Sequence, residues 1–145
     1  MRFVSGGCDC LGIIWRYIVC LNMFMHRFNE QKASWEQEKT LSGHTGWVRD
    51  VAWCPNEGMP GQLIATASQD HTVFIWTIDN STNPPTKQPL SAQKFPDVVW
   101  RLSWSMAGNI LAVSCGDMSV TLWKEGVDGR WECMATMDEN TAAAI

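Results

Sequence analysis

The chain has 145 residues, about the length of one ordinary domain, and 46% of them are hydrophobic, as in a globular protein. Its net charge is -4 and its Lys and Arg residues form no basic run, which argues against a nucleic-acid-binding surface. We expect no signal peptide, because Met1-Arg2-Phe3 leads straight into strand residues and no small-residue cleavage site follows an apolar core. We expect no membrane span, because the apolar run from Tyr17 to Met25 is shorter than the roughly 20 residues that cross a bilayer.

The first predicted elements are two strands within residues 1–16. They resemble the middle strands of a sheet whose first strand is missing, and we interpret the start at Met1 as a truncation. Residues 35–41 predict the outer strand of the same sheet.

Residues 17–34, between these strands, break the pattern, because the connection is long and half apolar, whereas a surface hairpin loop is normally polar. The corresponding later connection, Lys124 to Arg130, is short and polar and contains an Asp-Gly turn. Two interpretations remain open. The segment is a helix or a longer strand that binds a partner or a lipid surface, or it comes from an alternative exon, a retained intron or an annotation error. We favour the second.

Two further sheets are predicted in the rest of the chain. Alternating apolar residues predict the inner strands of the second sheet at 46–54, 63–69 and 72–78. A polar loop follows, in which Pro84-Pro85 disfavours a central strand, and Lys87 to Phe95 predicts the outer strand. The strands of the third sheet are predicted at residues 97–104, 109–115, 119–124 and 131–137.

The pattern recurs along the chain. An aspartate precedes a tryptophan by six residues three times, in the pairs Asp9 and Trp15, Asp70 and Trp76, and Asp117 and Trp123. The motif from Val48 to Trp53 matches Val99 to Trp104. This is the order of parts in a WD repeat, in which each repeat gives a four-stranded blade of a propeller. The sequence therefore predicts an all-β fold, a partial WD-repeat β-propeller of about three four-stranded blades, the first of them incomplete.

The recurring pattern also divides the chain. We assign residues 1–137 to the partial propeller and 138–145 to a frayed tail. The propeller segment is divided into an incomplete blade at 1–41 with the insertion 17–34, a blade at 43–94 and a blade at 95–137.

One set of polar residues suggests chemistry. Its members are His44, Thr66, Ser68, Asp70 and Trp76. Ser, His and Asp together suggest a hydrolase triad, but the chain has no Gly-x-Ser-x-Gly elbow. In WD repeats the same residue types form a hydrogen-bonded network that satisfies buried polar groups. We therefore assign the five residues to a structural network and predict no enzymatic activity.

The predicted network is incomplete in the last blade, because Phe95 stands where His44 would be expected. That blade is expected to depend more on apolar packing from Trp100, Trp104 and Trp123. Trp47 and Trp100 are also predicted to lie at strand starts near a propeller face. There they either pack between blades or bind a partner, and both interpretations remain open.

The six cysteines include no Cys-x-x-Cys pair. Cys8 and Cys10 together with His26 have a spacing that matches no common zinc site, so we predict no metal and no cofactor. Reduced, buried thiols in a cytosolic or nuclear protein are the expected state.

Several segments go beyond a generic WD repeat. They are residues 5–9, 46–53, 68–70, 73–76, 97–104, 109–114 and 120–131. The last is the most specific, because Trp123-Lys124-Glu125-Gly126-Val127-Asp128-Gly129-Arg130-Trp131 is no part of the general repeat. Together these segments resemble the C-terminal half of the "Sec thirteen" family. That family is the small WD-repeat subunit of the COPII outer vesicle coat and of the Y-shaped nuclear pore subcomplex.

The resemblance implies a non-enzymatic scaffold for ER-to-Golgi protein transport and for the nuclear pore complex. Family members form an open six-bladed propeller that a partner chain closes with a seventh blade. The implied partners are the large COPII outer-coat subunit, the large Y-complex nucleoporin and a lysosomal nutrient-signalling complex. The implied locations are the cytoplasmic face of the ER and COPII vesicles, the nuclear envelope and the lysosomal membrane. Membrane association would be peripheral, through the coat only.

The chain departs from the family pattern at three points. It lacks the N-terminal half, it carries the insertion 17–34, and it has Cys10-Leu11-Gly12 where the family has a polar turn. Because blades bury their faces against neighbours, we expect the isolated chain to be marginally stable or prone to aggregation. Two alternatives therefore stay open: another WD-repeat adaptor such as a ubiquitin-ligase substrate receptor, and a non-functional truncated product.

Overall fold

The computed structural model describes residues 2–6, 12–16, 22–29, 31–55, 61–79 and 85–138. These ranges contain twelve β-strands and no helix, and therefore no helix that could cross a membrane. The strands are β1 (Arg2–Gly6), β2 (Gly12–Arg16), β3 (Asn22–Asn29), β4 (Ser34–Ser42), β5 (Val48–Trp53), β6 (Gln62–Ser68), β7 (Val73–Ile78), β8 (Thr86–Pro89), β9 (Val99–Trp104), β10 (Ile110–Cys115), β11 (Val120–Glu125) and β12 (Trp131–Met137).

The strands form three four-stranded antiparallel sheets, each with its strands in chain order. The first sheet contains β1 to β4, the second β5 to β8 and the third β9 to β12. The predicted all-β class is confirmed. In the second and third sheets the inner strands begin and end within two residues of their predicted bounds, because side-chain alternation marks them clearly.

The outer strand of the second sheet is shorter than the sequence predicted. The expectation of a strand from Lys87 to Phe95 is wrong beyond Pro89, where β8 ends. The chain instead turns inward, and buried Leu90 donates its backbone N–H to the Val73 carbonyl at 2.9 Å. Phe95 then leaves the sheet edge and is buried against the third sheet.

The first sheet contains a strand that the repeat pattern did not place. β3 lies inside the segment 17–34 and pairs with β4 along its whole length, from Asn22 opposite Ser42 to Asn29 opposite Ser34. The Asn29 side-chain oxygen accepts backbone N–H bonds from Gln31 and Lys32, which is the geometry of an Asx turn. The described part of the segment is therefore a strand followed by a turn at residues 31–33, and not a helix, while residues 17–21 and 30 lie outside the described residues.

The main apolar core lies between the second and third sheets. Ala65, Ala67, Val73 and Ile75 face it from β6 and β7, and Leu111, Val113 and Trp123 face it from β10 and β11. Because neighbouring side chains on a strand point to opposite faces, Ile64 and Trp76 lie on the other face of the second sheet. There they pack with Leu41 of β4 in a smaller core.

Hydrogen bonds join the innermost strands of the second and third sheets. The Asp50 carboxylate accepts the backbone N–H of Leu102 at 2.8 Å, and the Trp104 indole donates to the Ala52 carbonyl at 3.1 Å. These bonds hold β5 and β9 together.

Candidate functional site

The five sequence-predicted site residues come together on one face of the second sheet. His44 precedes β5, Thr66 and Ser68 are on β6, Asp70 is in the turn after β6, and Trp76 is on β7. We call these five residues the polar network. The antiparallel pairing of Ile64 with Trp76 and of Thr66 with Phe74 brings the β6 and β7 members side by side.

The hydrogen bonds of the polar network run in one direction. The Trp76 indole N–H donates to Thr66 Oγ1 at 3.0 Å, and the Thr66 hydroxyl lies 2.7 Å from His44 Nε2. His44 Nδ1 lies 3.2 Å from Asp70 Oδ2. A neutral imidazole with its proton on Nδ1 satisfies the whole series, since Nε2 then accepts and Nδ1 donates.

Asp70 is also held by the turn in which it lies. Its Oδ2 accepts the backbone N–H of Thr45 at 2.7 Å, and its Oδ1 accepts the backbone N–H and the hydroxyl of Thr72. Its own N–H donates to Ser68 Oγ at 3.1 Å. All five predicted residues are therefore connected, and Thr72 and Thr45, which the sequence did not single out, are hydrogen-bonded to the network.

Burial and hydrogen bonding shift the pKa values of both ionisable members. Burial lowers the pKa of His44 from its ordinary value, although the neighbouring Asp70 carboxylate opposes the change. For Asp70, burial would raise the pKa, but hydrogen bonds from Thr72 and from the Thr45 N–H lower it to about 2. At neutral pH the network therefore contains a neutral imidazole beside a carboxylate.

The polar network does not present a nucleophile to solvent. Thr66 and Ser68 are 0% exposed and His44 is 6% exposed. A hydroxyl that attacks a substrate has to be within reach of it. Both hydroxyls lie under the sheet surface and are hydrogen-bonded inside it.

The equivalent positions in the third sheet are largely apolar. Phe95 occupies the place of His44, Val113 that of Thr66, and Cys115 that of Ser68. Phe95 packs edge-on against Trp123, with ring centroids 5.8 Å apart, and the Trp123 indole donates to Thr121 at 2.8 Å. The expectation that this blade depends on packing by Trp104 and Trp123 agrees with these contacts.

Trp100 does not take part in that packing. It is 46% exposed, so its assignment to the apolar packing of the last blade is wrong. Its ring lies over the Arg49 guanidinium at 4.6 Å, and Trp47, which is 50% exposed, lies over the same group at 5.3 Å. The two tryptophans thus lie at a contact between the second and third sheets and also face solvent.

Arg49 is the residue of this surface that the sequence analysis missed. It has the same position in β5 as Trp100 has in β9, and this equivalence in the repeat alignment was the available signal. The contact itself joins two sheets, so no local pattern could reveal it. We call Trp47, Arg49 and Trp100 the aromatic–arginine cluster.

The described residues contain no group of three or more His, Cys, Asp or Glu side chains arranged to hold a metal. Cys8 and Cys10 lie outside these residues, so the rejected zinc spacing has no structural test. Cys54, Cys115 and Cys133 are free thiols. Burial raises the pKa of Cys54 and of Cys115 to about 11.

Comparison with known proteins identifies the repeats. The family model described as "WD domain, G-beta repeat" matches residues 35–77 and 87–124, more than half of the chain. Each match begins at the outer strand of one sheet, β4 or β8, and continues through the three inner strands of the next. One sequence repeat therefore belongs to two sheets, which ties neighbouring sheets together.

Similar curated proteins share one name. "Protein transport protein SEC13" of Mycosarcoma maydis is 47% identical, over 94% of this chain and 38% of that protein. "Protein SEC13 homolog" of Homo sapiens is 47% identical, over 95% of this chain and 39% of that protein. "Protein transport protein SEC13-1" of Candida glabrata is 47% identical, over 95% of this chain and 42% of that protein.

The chain thus spans about two fifths of the length of the curated relatives it matches. The resemblance to the Sec thirteen family is confirmed by these relatives. The recurring Asp–Trp spacing, the three four-stranded sheets and the matched repeats agree with one another. The chain belongs to the WD-repeat family, and its similarity within that family is to the SEC13 proteins.

Proposed function

We propose that the chain serves as a non-enzymatic, protein-binding scaffold in protein transport, as part of a COPII outer coat. The observation that carries this proposal is the similarity to SEC13 proteins that are named for protein transport, over 92–94% of the chain. The similarity covers the Lys124-to-Arg130 linker, which the general WD repeat does not contain.

The polar network supports a structural role over a catalytic one. Its hydroxyls are buried and already hydrogen-bonded, and the imidazole is neutral and enclosed. Such a network satisfies polar groups inside a sheet and holds the turn at Asp70 in place. We propose that the five residues stabilise the blade and take no part in a reaction.

The third sheet has a face that supports contact with a further blade. Ala65 and Ala67 of β6 are 0% exposed, because the third sheet covers them. The equivalent residues of β10, Ala112 and Ser114, are only half-buried, since no described element covers that face. We propose that a blade, from a longer form of this chain or from a partner, packs there.

The proposed partners are the large COPII outer-coat subunit and the large Y-complex nucleoporin, with a lysosomal nutrient-signalling complex as a third. The corresponding locations are the cytoplasmic face of the ER and its vesicles, the nuclear envelope and the lysosomal membrane. Association with membranes would be peripheral and through the coat. These assignments follow the family resemblance, and the uncovered face of the third sheet is the structural feature that supports them.

The experiment is affinity capture of the full chain from cell lysate with mass spectrometry. We expect recovery of the large outer-coat subunit, and a loss of that recovery in Ala112→Glu, which places a charge on the uncovered face. Ala107→Glu, in the exposed β9–β10 turn, is the matched control and should retain capture. Recovery of a ubiquitin-ligase core or of chaperones alone would contradict the proposal.

A further inference from the structure

We propose that the aromatic–arginine cluster is a docking site for an acidic, apolar-flanked segment of a partner protein. The inference goes beyond the transport scaffold role, because it concerns a surface at the ends of β5 and β9 and not the uncovered face of the third sheet. The ligand group it assigns is a side-chain carboxylate.

The cluster is built by equivalent positions of successive repeats. Arg49 in β5 and Trp100 in β9 are second in their strands, and their side chains stack across the boundary between the sheets. The turns that follow β6 and β10 lie next to these two side chains, and the residue in each turn suits the side chain beside it. Gln69 Oε1 accepts a bond from Arg49 Nη2 at 2.7 Å, whereas Gly116 lies behind Trp100.

Gly116 makes room for the Trp100 indole. A Cβ atom added to Gly116 would lie 3.2 Å from the Trp100 Nε1 atom, which is tighter than an ordinary contact, and 2.7 Å from an Asp97 oxygen. Backbone bonds hold both turns in the same way, with Gln69 N–H on the Trp47 carbonyl and Gly116 N–H on the Val98 carbonyl, each at 2.8 Å. The cluster is therefore preorganised by the two sheets.

The guanidinium of Arg49 has N–H donors that no hydrogen bond uses. Within the described part of the chain only Nη2 is hydrogen-bonded, and no carboxylate lies within ion-pair distance. Its Nε is buried without any hydrogen-bond partner. An external ligand does not reach that buried atom, so the donors it can bond are those on the terminal nitrogens that Gln69 leaves free. A carboxylate at these nitrogens forms charge-assisted hydrogen bonds, which are stronger than neutral ones.

The nearby carboxylates are already used inside the protein. Asp50 accepts the N–H groups of Val51 and Leu102, and Asp97 accepts that of Val98. Asp70 is bound within the polar network. None of these carboxylates forms an ion pair with Arg49, so its guanidinium is left for an external anion, although the chain as a whole has a net charge of -4.

The surroundings of the guanidinium favour an apolar-flanked ligand. Trp47 and Trp100 are about half exposed, and Met118, in the turn two residues after Gly116, is 66% exposed. Exposed tryptophan and arginine side chains are the residue types that most often carry binding energy at protein interfaces. An extended segment that alternates Glu with Leu offers both a carboxylate and apolar side chains.

The test uses the full chain and a fluorescein-labelled peptide of alternating Glu and Leu, followed by fluorescence polarisation. The control peptide has Gln in place of Glu. We expect the Glu peptide to bind about tenfold more tightly than the Gln peptide, because the Gln peptide lacks one charge-assisted hydrogen bond. The affinity of the Glu peptide should fall at high salt. Equal binding of the two peptides would overturn the proposal, and this comparison needs no variant.

Two variants locate the site. Arg49→Gln is expected to remove the preference for the Glu peptide, and Trp100→Leu to weaken both peptides. Arg101→Gln is the matched control, since Arg101 is the exposed neighbour of Trp100 on the same strand and should leave binding unchanged. Thermal melts by circular dichroism accompany each variant.

Other occupants are outcomes of the same assay. Tighter binding of a Lys–Leu peptide or of a labelled oligothymidylate would overturn the proposal, as would a preference for Glu that survives in Arg49→Gln. These results are independent of the transport role. Ala112→Glu tests the uncovered face, and it is expected to leave the peptide affinity unchanged.

Discussion

The second and third sheets fill the buried positions next to their closing tryptophans with different residue types. In the second sheet, buried positions beneath the closing tryptophan carry His44, Thr66 and Ser68, and all are hydrogen-bonded. In the third sheet, Phe95 and Val113 fill the corresponding places. In both sheets the tryptophan indole donates to a threonine hydroxyl. Trp76 donates to Thr66 in the second sheet, and Trp123 donates to Thr121 in the third.

The turn between the second and third strands is closed by the same bonds in both sheets. Asp70 accepts the N–H and hydroxyl of Thr72, and Asp117 accepts those of Ser119. The turn between the second and third strands is thus kept, while the buried half is polar in one sheet and apolar in the other. Replacing both partners of a buried hydrogen bond by apolar groups can be nearly neutral, whereas removing one partner is costly.

The largest expected effect is at Phe95. Phe95→Ala should lower the free energy of unfolding by about 3–5 kcal/mol, since it leaves a cavity beside Trp123 in the main core. Urea unfolding followed by tryptophan fluorescence measures the loss. If Phe95→Ala lowered the free energy of unfolding by less than His44→Ala does, apolar packing would not be the main stabilisation of the third sheet.

Removal of Asp70 should cost less, about 1–3 kcal/mol, because it leaves the His44 and Thr45 donors without an acceptor. Asp117→Ala is the matched control in the third sheet. Asp117 is exposed and, among the described residues, bonds only within its own turn, so the control should cost less than Asp70→Ala in the same urea titration. Equal losses would contradict the difference between the sheets.

Acid should destabilise the second sheet in two steps. The pKa of His44 is lowered in the folded state, so its contribution is complete above about pH 6.5 and is lost as the pH falls below that value. The pKa of Asp70 is lowered to about 2, so a second contribution disappears as the pH falls from 3.8 towards 2. Both signs point to lower stability in acid.

Melting temperature against pH measures these steps in the unchanged chain and in His44→Phe. The first step should vanish in the variant, because phenylalanine binds no proton. A first step of unchanged size in His44→Phe would assign the pH dependence to another group.

The smallest effect concerns Cys115, which takes the place of Ser68 in the third sheet. Burial raises the pKa of its thiol to about 11, so at pH 8 it should react with an alkylating reagent far more slowly than exposed Cys133. Peptide mapping by mass spectrometry compares the two sites. Similar labelling in the folded chain would mean that the third sheet opens readily.

The sequence predicted the inner strands of the second and third sheets because alternation and the Asp–Trp spacing both mark the register. The polar network could be grouped from Asp70 and Trp76 for the same reason, although its stabilising role stays a prediction. The position of β3 could not be derived, since the repeat has no strand there and an apolar run alone does not select a partner strand.

The sequence analysis also missed features that join different sheets. Phe95 was assigned to an outer strand, because its burial depends on Trp123 in the next sheet. Arg49 was passed over, because its contact with Trp100 joins strands that are distant in the sequence. Packing between sheets overrides local patterns at such positions.

The central claim is that the buried polar residues of the second sheet can be exchanged as a set for the apolar residues of the third. A variant with four substitutions tests this claim most directly. The variant combines His44→Phe, Thr66→Val, Ser68→Cys and Phe74→Thr, which copies Phe95, Val113, Cys115 and Thr121 into the second sheet. We predict that its free energy of unfolding exceeds that of Thr66→Val alone, since the single change leaves His44 and Trp76 without their shared partner. A loss equal to the sum of the four single changes would contradict the account.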